Sequence, residues 1–205
     1  MLMELRAAKA QLEFVEPILI GAGKTSTARW FELVADRPDL ARSLRPRTRA
    51  NFIHDHFCTE IDQGVAELPG VHATEAGGFF ILIVGTEILL RPKYLGQGVP
   101  SNVATVVQKE LAKQEFNEDL LEALGLSAPP TLLTSGYTLG DGQLGHIEIR
   151  RECKGTQPWK YEIYGGEATA EPLTFQGLGD QTKPARVKSD RTKDAEKGQE
   201  LAGEA

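Results

Sequence analysis

The sequence predicts an α+β fold, and three observations predict it. An apolar stripe (Ile53, Phe57, Ile61, Val65, Leu68) recurs at three- and four-residue spacing between 47 and 68, the mark of a helix with one face on a core. Strand-like segments gather at 71–94 and again at 132–164. Helix formers dominate before the first strand group and between the two. Helices and strands are thus grouped rather than strictly alternating, which is the α+β pattern.

Taken in order, residues 2–16 hold strong helix formers with Leu5, Leu12 and Val15 among charges, and Pro17 ends or kinks that helix. Gly21–Ser26 reads as a break. Thr27 caps a second helix over 28–35, with Trp30, Phe31 and Val34 on its apolar side. Asp36-Arg37-Pro38 ends it, and Asp39–Leu44 adds a turn. The clearest helix runs from Arg47 to Leu68, stopped by Pro69-Gly70.

Val71–Glu75 is a short strand and Gly77-Gly78 a turn. Phe79–Val84 is an unbroken apolar run, as expected of a strand buried on both faces. Glu87–Tyr94 alternates, and Pro92, which cannot donate to a ladder, marks that end as an edge. Gly96–Pro100 is a loop, 101–116 a helix, and Asn117 caps a short helix closed by Gly125. A meander follows: Leu132–Leu139, a turn at Gly140-Asp141-Gly142, His146–Glu152, a turn at Gly155–Pro158, and Trp159–Tyr164. The sheet is expected to be mixed or antiparallel with an inserted helix.

One α+β domain is expected over 1–175, followed by a disordered charged tail over 176–205. The tail has no aromatic residue, and its six Lys/Arg and six Asp/Glu leave little apolar surface to offset ordering entropy. A short helix near 194–202 is the exception allowed there.

The 205 residues are 40% hydrophobic and 25% charged, ordinary for a globular protein, with a net charge of −6. An acidic chain is a poor non-specific partner for nucleic acid or a membrane unless a basic patch is concentrated somewhere. No apolar run approaches the length of a membrane span, and the N-terminus lacks a signal-peptide pattern. Two cysteines, Cys58 and Cys153, make no disulfide framework. The expected setting is the cytoplasm, with no membrane role.

No motif carries catalysis. Gly21-Ala22-Gly23-Lys24-Thr25 resembles a phosphate loop, but the position that needs the first glycine is Ile18. His54-Asp55-His56 suggests a metal, yet residues two apart on a helix point about 200° apart. Only His54 and Cys58 have helical ligand spacing, with no third ligand in view, and His54 with Asp55 is read as solvated. No cofactor or metal is expected, and no catalytic residue is assigned; the reading leans away from an enzyme. The one local charge feature is Arg42, Arg45, Arg47 and Arg49, four arginines in eight residues with no acid. With Arg91 and Lys93 they form the candidate anion- or nucleic-acid-binding set, since guanidinium suits bidentate phosphate contacts. The competing reading is a solvated turn paired with Asp36, Asp39 and Asp55.

The helix–strand–strand–strand–helix–strand order over 47–135 resembles the core of restriction-endonuclease-like nucleases. Those families hold Mg²⁺ with carboxylates and place a Glu-x-Lys on one strand. The matching place here is Arg91-Pro92-Lys93, so the acid is missing and only Glu60 and Glu75 could contribute. Separately, Arg47–Asp55, Phe79–Val84 and Leu89–Leu95 resemble a group of uncharacterised bacterial proteins of mobile-element operons, over roughly 25–165. That resemblance implies a defence or toxin–antitoxin-like locus beside a helix-turn-helix regulator and a metallopeptidase. The peptidase's His-Glu-x-x-His is absent here, so the chain would be the partner. The leading expectation is a non-enzymatic interaction protein with a protein partner. Nucleic-acid binding and a degenerate nuclease are the alternatives, and oligomeric state is left open.

Overall fold

The apolar stripe becomes the inner face of helix α4 (Pro46–Val65), with Ile53, Phe57, Ile61 and Val65 buried. Burial of each such side chain contributes about 1.5–3 kcal/mol. The computed structural model describes residues 3–76, 78–95, 113–114, 116–140, 143–153 and 156–165. The expected loop at 96–100, most of the helix expected over 101–116, the turn at 141–142 and the tail over 176–205 lie outside them. The described residues all fall in one unit, Met1–Pro172.

Helix α1 spans Leu5–Leu12, and Pro17 stands in the first turn of α2 (Glu16–Asp36). There its missing N–H costs no hydrogen bond. The break expected at Gly21–Ser26 is overturned, because that stretch is helical interior. Glycine serves packing here. A Cβ on Gly23 would sit 3.0 Å from the side-chain ends of Ile147 and Leu144, so α2 packs tightly on the sheet here and a larger residue would have to push those side chains aside. Gly64 does the same between helices, where a Cβ would meet Ile18 at 2.6 Å. Helix α3 (Pro38–Ser43) is the added turn. Asn117 Oδ1 accepts from Leu120 N at 2.8 Å and caps α5 (Glu118–Ala123), which ends before Gly125 at φ +66°.

The six strands are β1 (Val71–Ala76), β2 (Phe79–Val84), β3 (Ile88–Tyr94), β4 (Thr131–Leu139), β5 (Leu144–Cys153) and β6 (Thr156–Gly165). They lie side by side in chain order, antiparallel throughout except for the parallel β3–β4 pair. The sheet is therefore mixed: two antiparallel meanders joined by one parallel ladder. Strand β3 is interior rather than an edge. Its Pro92 end is nonetheless paired on one side only, because the β2 register stops at Leu90 while the β4 register continues through Pro92↔Ser135. The turn expected at Gly155–Pro158 is shorter, since β6 already begins at Thr156. Pro158 fits there because β6 is an outermost strand.

One sheet face carries α1, α2 and α4 over a core of Leu82, Ile88, Leu90, Leu133, Tyr137 and Ile149 with Phe57 and Ile61. The other face is apolar over β1–β4 (Ile81, Ile83, Leu89, Leu132), packed against Leu124 and Leu126 beside α5. Among the described residues no helix is long and apolar enough to cross a membrane.

Candidate interaction edge and charged surfaces

The sheet ends in two edge strands of opposite character. Strand β6 is fitted with the devices that discourage further pairing. It contains Pro158, exposes Lys160 and Glu162, and carries a register shift against β5 between its Glu162 and Tyr164 partners. Strand β1 lacks the proline, the lysine and the register shift. All six of its residues pair with β2 in unbroken register, and it holds no proline, lysine or arginine. His72 and Glu75 are exposed, and Ala73 and Thr74 half-buried. Its outer backbone groups face no other strand among the described residues. Helix α4 packs on the sheet over β1 and β3.

A polar cluster sits on the non-helical face of β4–β6. Glu148 is 1% exposed, and both its oxygens are engaged: one by the buried Arg150 guanidinium, the other by Lys160 Nζ at 3.1 Å. His146 Nε2 stands 3.9 Å from the same carboxylate, and its Nδ1 is 2.8 Å from Thr138 Oγ1. Burial lowers the His146 pKa, Glu162 raises it in part, and Lys160 and Arg150 lower it further. The hydroxyl, imidazole and carboxylate are aligned, but Thr138 Oγ1 also accepts from His146 N at 3.0 Å. The hydroxyl is thereby tied into the strand pair, and the carboxylate is neutralised by two cations. The cluster is built to hold β4, β5 and β6 together. Alternation put His146, Glu148 and Arg150 on one face; it carried no signal that this face would be buried.

On the helical face, His54 stacks on Tyr137 with ring centroids 6.4 Å apart, and its Nε2 lies 3.7 Å from Cys58 Sγ. The expectation that His54 is solvated is overturned: the sheet reaches it through Tyr137. Burial dominates here too. It lowers the His54 pKa and pushes the Cys58 thiol up to about 12, with Asp55 and Glu75 adding to the latter. Cys58 is therefore a protonated thiol at neutral pH and a poor nucleophile. His56 instead meets Arg29 and Phe52 on the α2 side. Among the described residues no three His, Cys, Asp or Glu side chains converge as metal ligands.

The predicted anion-binding residues separate into two groups. Arg42, Arg45 and Arg47 are exposed and Arg49 half-buried, spread over α3 and the first turn of α4. None of the four has an ion pair among the described residues; Asp39 is taken by Arg37 at 3.7 Å. Arg91 and Lys93 alternate with core-facing Leu90 and Tyr94, so they leave the sheet on the side away from α4, with Arg91 over the Phe79 ring at 4.2 Å. Glu60 and Glu75 belong to the α4 side, Glu60 held by Arg29 at 2.9 Å. The lysine and the two acids of the nuclease comparison thus lie across the sheet from one another.

No protein-family model, curated protein or solved structure matches this chain. The fold defines it as an α+β protein with a six-stranded mixed sheet whose outermost strands, among the described residues, are β1 and β6.

Proposed function

We propose that this chain is a non-enzymatic interaction protein that takes an extended segment of a protein partner onto the outer side of β1. The observation that carries this reading is the contrast between the edges: a regular six-residue ladder without proline, lysine or bulge on β1, and all three devices on β6. Unpaired N–H and C=O groups give main-chain affinity to an added strand, and the alternate side chains give selectivity. The cellular setting, a phage-defence or toxin–antitoxin-like locus, rests on the sequence resemblance alone.

The test is capture from the native host with nuclease treatment, comparing the wild type with a Thr74→Pro variant whose fold is checked by circular dichroism. A specific protein retained after nuclease and lost from the variant supports the reading. Capture that is unchanged in the variant removes β1 as the docking edge.

Arg42, Arg45, Arg47 and Arg49, which have no ion pair among the described residues, favour a second reading, binding of a polyanion at the start of α4, where the helix dipole adds to the guanidinium charge. It requires affinity that falls steeply with salt. Flat salt dependence, or binding untouched by changing Arg45, Arg47 and Arg49 to Ser, would rule it out.

A further inference from the structure

The geometry points to a basic partner segment: an extended stretch with Lys or Arg at alternating positions, laid along β1 beneath the flank of α4. This rests on the reading of β1 as the docking edge and adds the chemistry of what docks there.

The inference comes from an asymmetry of charge around that edge. From Ala50 through Leu90 the chain has no Lys or Arg, and it has six acids: Asp55, Glu60, Asp62, Glu67, Glu75 and Glu87. Two are engaged locally, Glu60 by Arg29 and Glu87 by Gln11 Nε2 at 2.6 Å. The other four, Asp55, Asp62, Glu67 and Glu75, are exposed and have no ion pair among the described residues. They occupy the helix packed over β1, the connection after it, and β1 itself. Asp55 and Asp62 lie two turns apart on the outer side of α4, away from the buried Ile53, Phe57 and Ile61. Glu75 shares its strand face with Val71 and Ala73, which pack toward the helices. Cys58 lies one turn from Asp55 on α4, and Asp55 and Glu75 add to the burial that raises its thiol.

An added strand would run about 4.8 Å outside β1, with every second side chain turned toward α4. Those side chains would meet Glu75 on one side and the Asp55–Asp62 row above. Cationic side chains suit that acidic surround; acidic ones would add a like charge to acids that have no ion pair among the described residues. The intervening side chains would face His72 and Thr74 and need no charge.

The probes are three synthetic octapeptides offered to the ¹⁵N-labelled full chain: one alternating Lys with Val and Thr, its counterpart with Glu for Lys, and the Lys peptide N-methylated at alternate residues. The Lys peptide is expected to shift the amides of 71–76 and to bind more weakly as salt rises. Glu75→Lys or Asp62→Lys, both at exposed positions, should each weaken it about fivefold, the scale of one exposed ion pair. A Glu peptide that binds equally well overturns the basic partner and leaves the β1 edge standing. An N-methylated peptide that binds as well as the parent overturns strand addition, and the edge reading with it. Absence of any shift at 71–76 with the Lys peptide overturns the inference.

Discussion

Strands β1 and β6 close the same sheet, yet one is defended and the other is not. Strand β6 is tied to β5 through a buried carboxylate, and it carries Pro158, a register shift and two exposed charges. Strand β1 is held by an unbroken ladder and by Val71 in the core, and its outer side is plain. Among the described residues no strand pairs with the outer side of β1; an unguarded edge is an aggregation hazard unless something covers it, and this contrast supports the docking role proposed for β1. The comparison also separates stability from recognition: the defended side carries costly internal electrostatics, the open side carries charge left for something else.

The largest expected effect is on the defended side. Glu148→Ala removes the carboxylate paired with the buried Arg150 guanidinium and should cost about 3–5 kcal/mol, measured by urea unfolding. Hydrogen exchange should then show β6 losing protection before β1; the reverse order would break the comparison. Replacing Glu148 and Arg150 together by Leu and Met should recover most of the loss. Next, Gly23→Val forces a side chain against Leu144 and Ile147 and should cost about 1–3 kcal/mol in the same assay.

A smaller effect comes from pH. His146 and His54 both have folded-state pKa values below the ordinary 6.5, chiefly through burial. The unfolded chain takes up protons near pH 6.5 while the folded chain resists, so stability should fall as the pH drops from about 7.5 through 6.5 toward 5.5. The fall in Tm should be shallower in His146→Gln than in the wild type. The smallest effect on stability is at the open edge: Thr74→Lys should change unfolding by under about 0.5 kcal/mol while abolishing partner capture. Equal capture would show that β1 is not used.

Much of this architecture was legible from residue patterns. The stripe on α4, the apolar run of β2 and the alternation of β3, β5 and β6 gave faces as well as elements, because burial of one face enforces the period. What misled were local signals whose meaning depends on distant neighbours. Gly21 and Gly23 look like a break until Leu144 and Ile147 are placed against the helix. Pro92 looks like an edge marker, but the parallel partner β4 lies far along the chain. His54 looks solvated until Tyr137 stacks on it. The open edge was hidden for the same reason: Val71–Ala76 reads only as a short strand, and which strands end a sheet is a property of the whole order. The acid-only stretch from Ala50 to Leu90 was visible in the letters, but it gained meaning only once α4 and β1 were seen side by side.

The parallel ladder between β3 and β4 sets the order in which this molecule can assemble. Each meander closes through short connections, so β1–β3 and β4–β6 can form early and separately. Joining them requires Ile88 to find Thr131 and Tyr94 to find Tyr137 across the whole intervening crossover. Closing that loop costs chain entropy before any ladder contact offsets it. The search for this one register should therefore be the slow step of folding, which refolding kinetics would test. Substitutions along it, such as Leu90→Ala or Leu133→Ala, should slow refolding, whereas those within either meander should chiefly quicken unfolding.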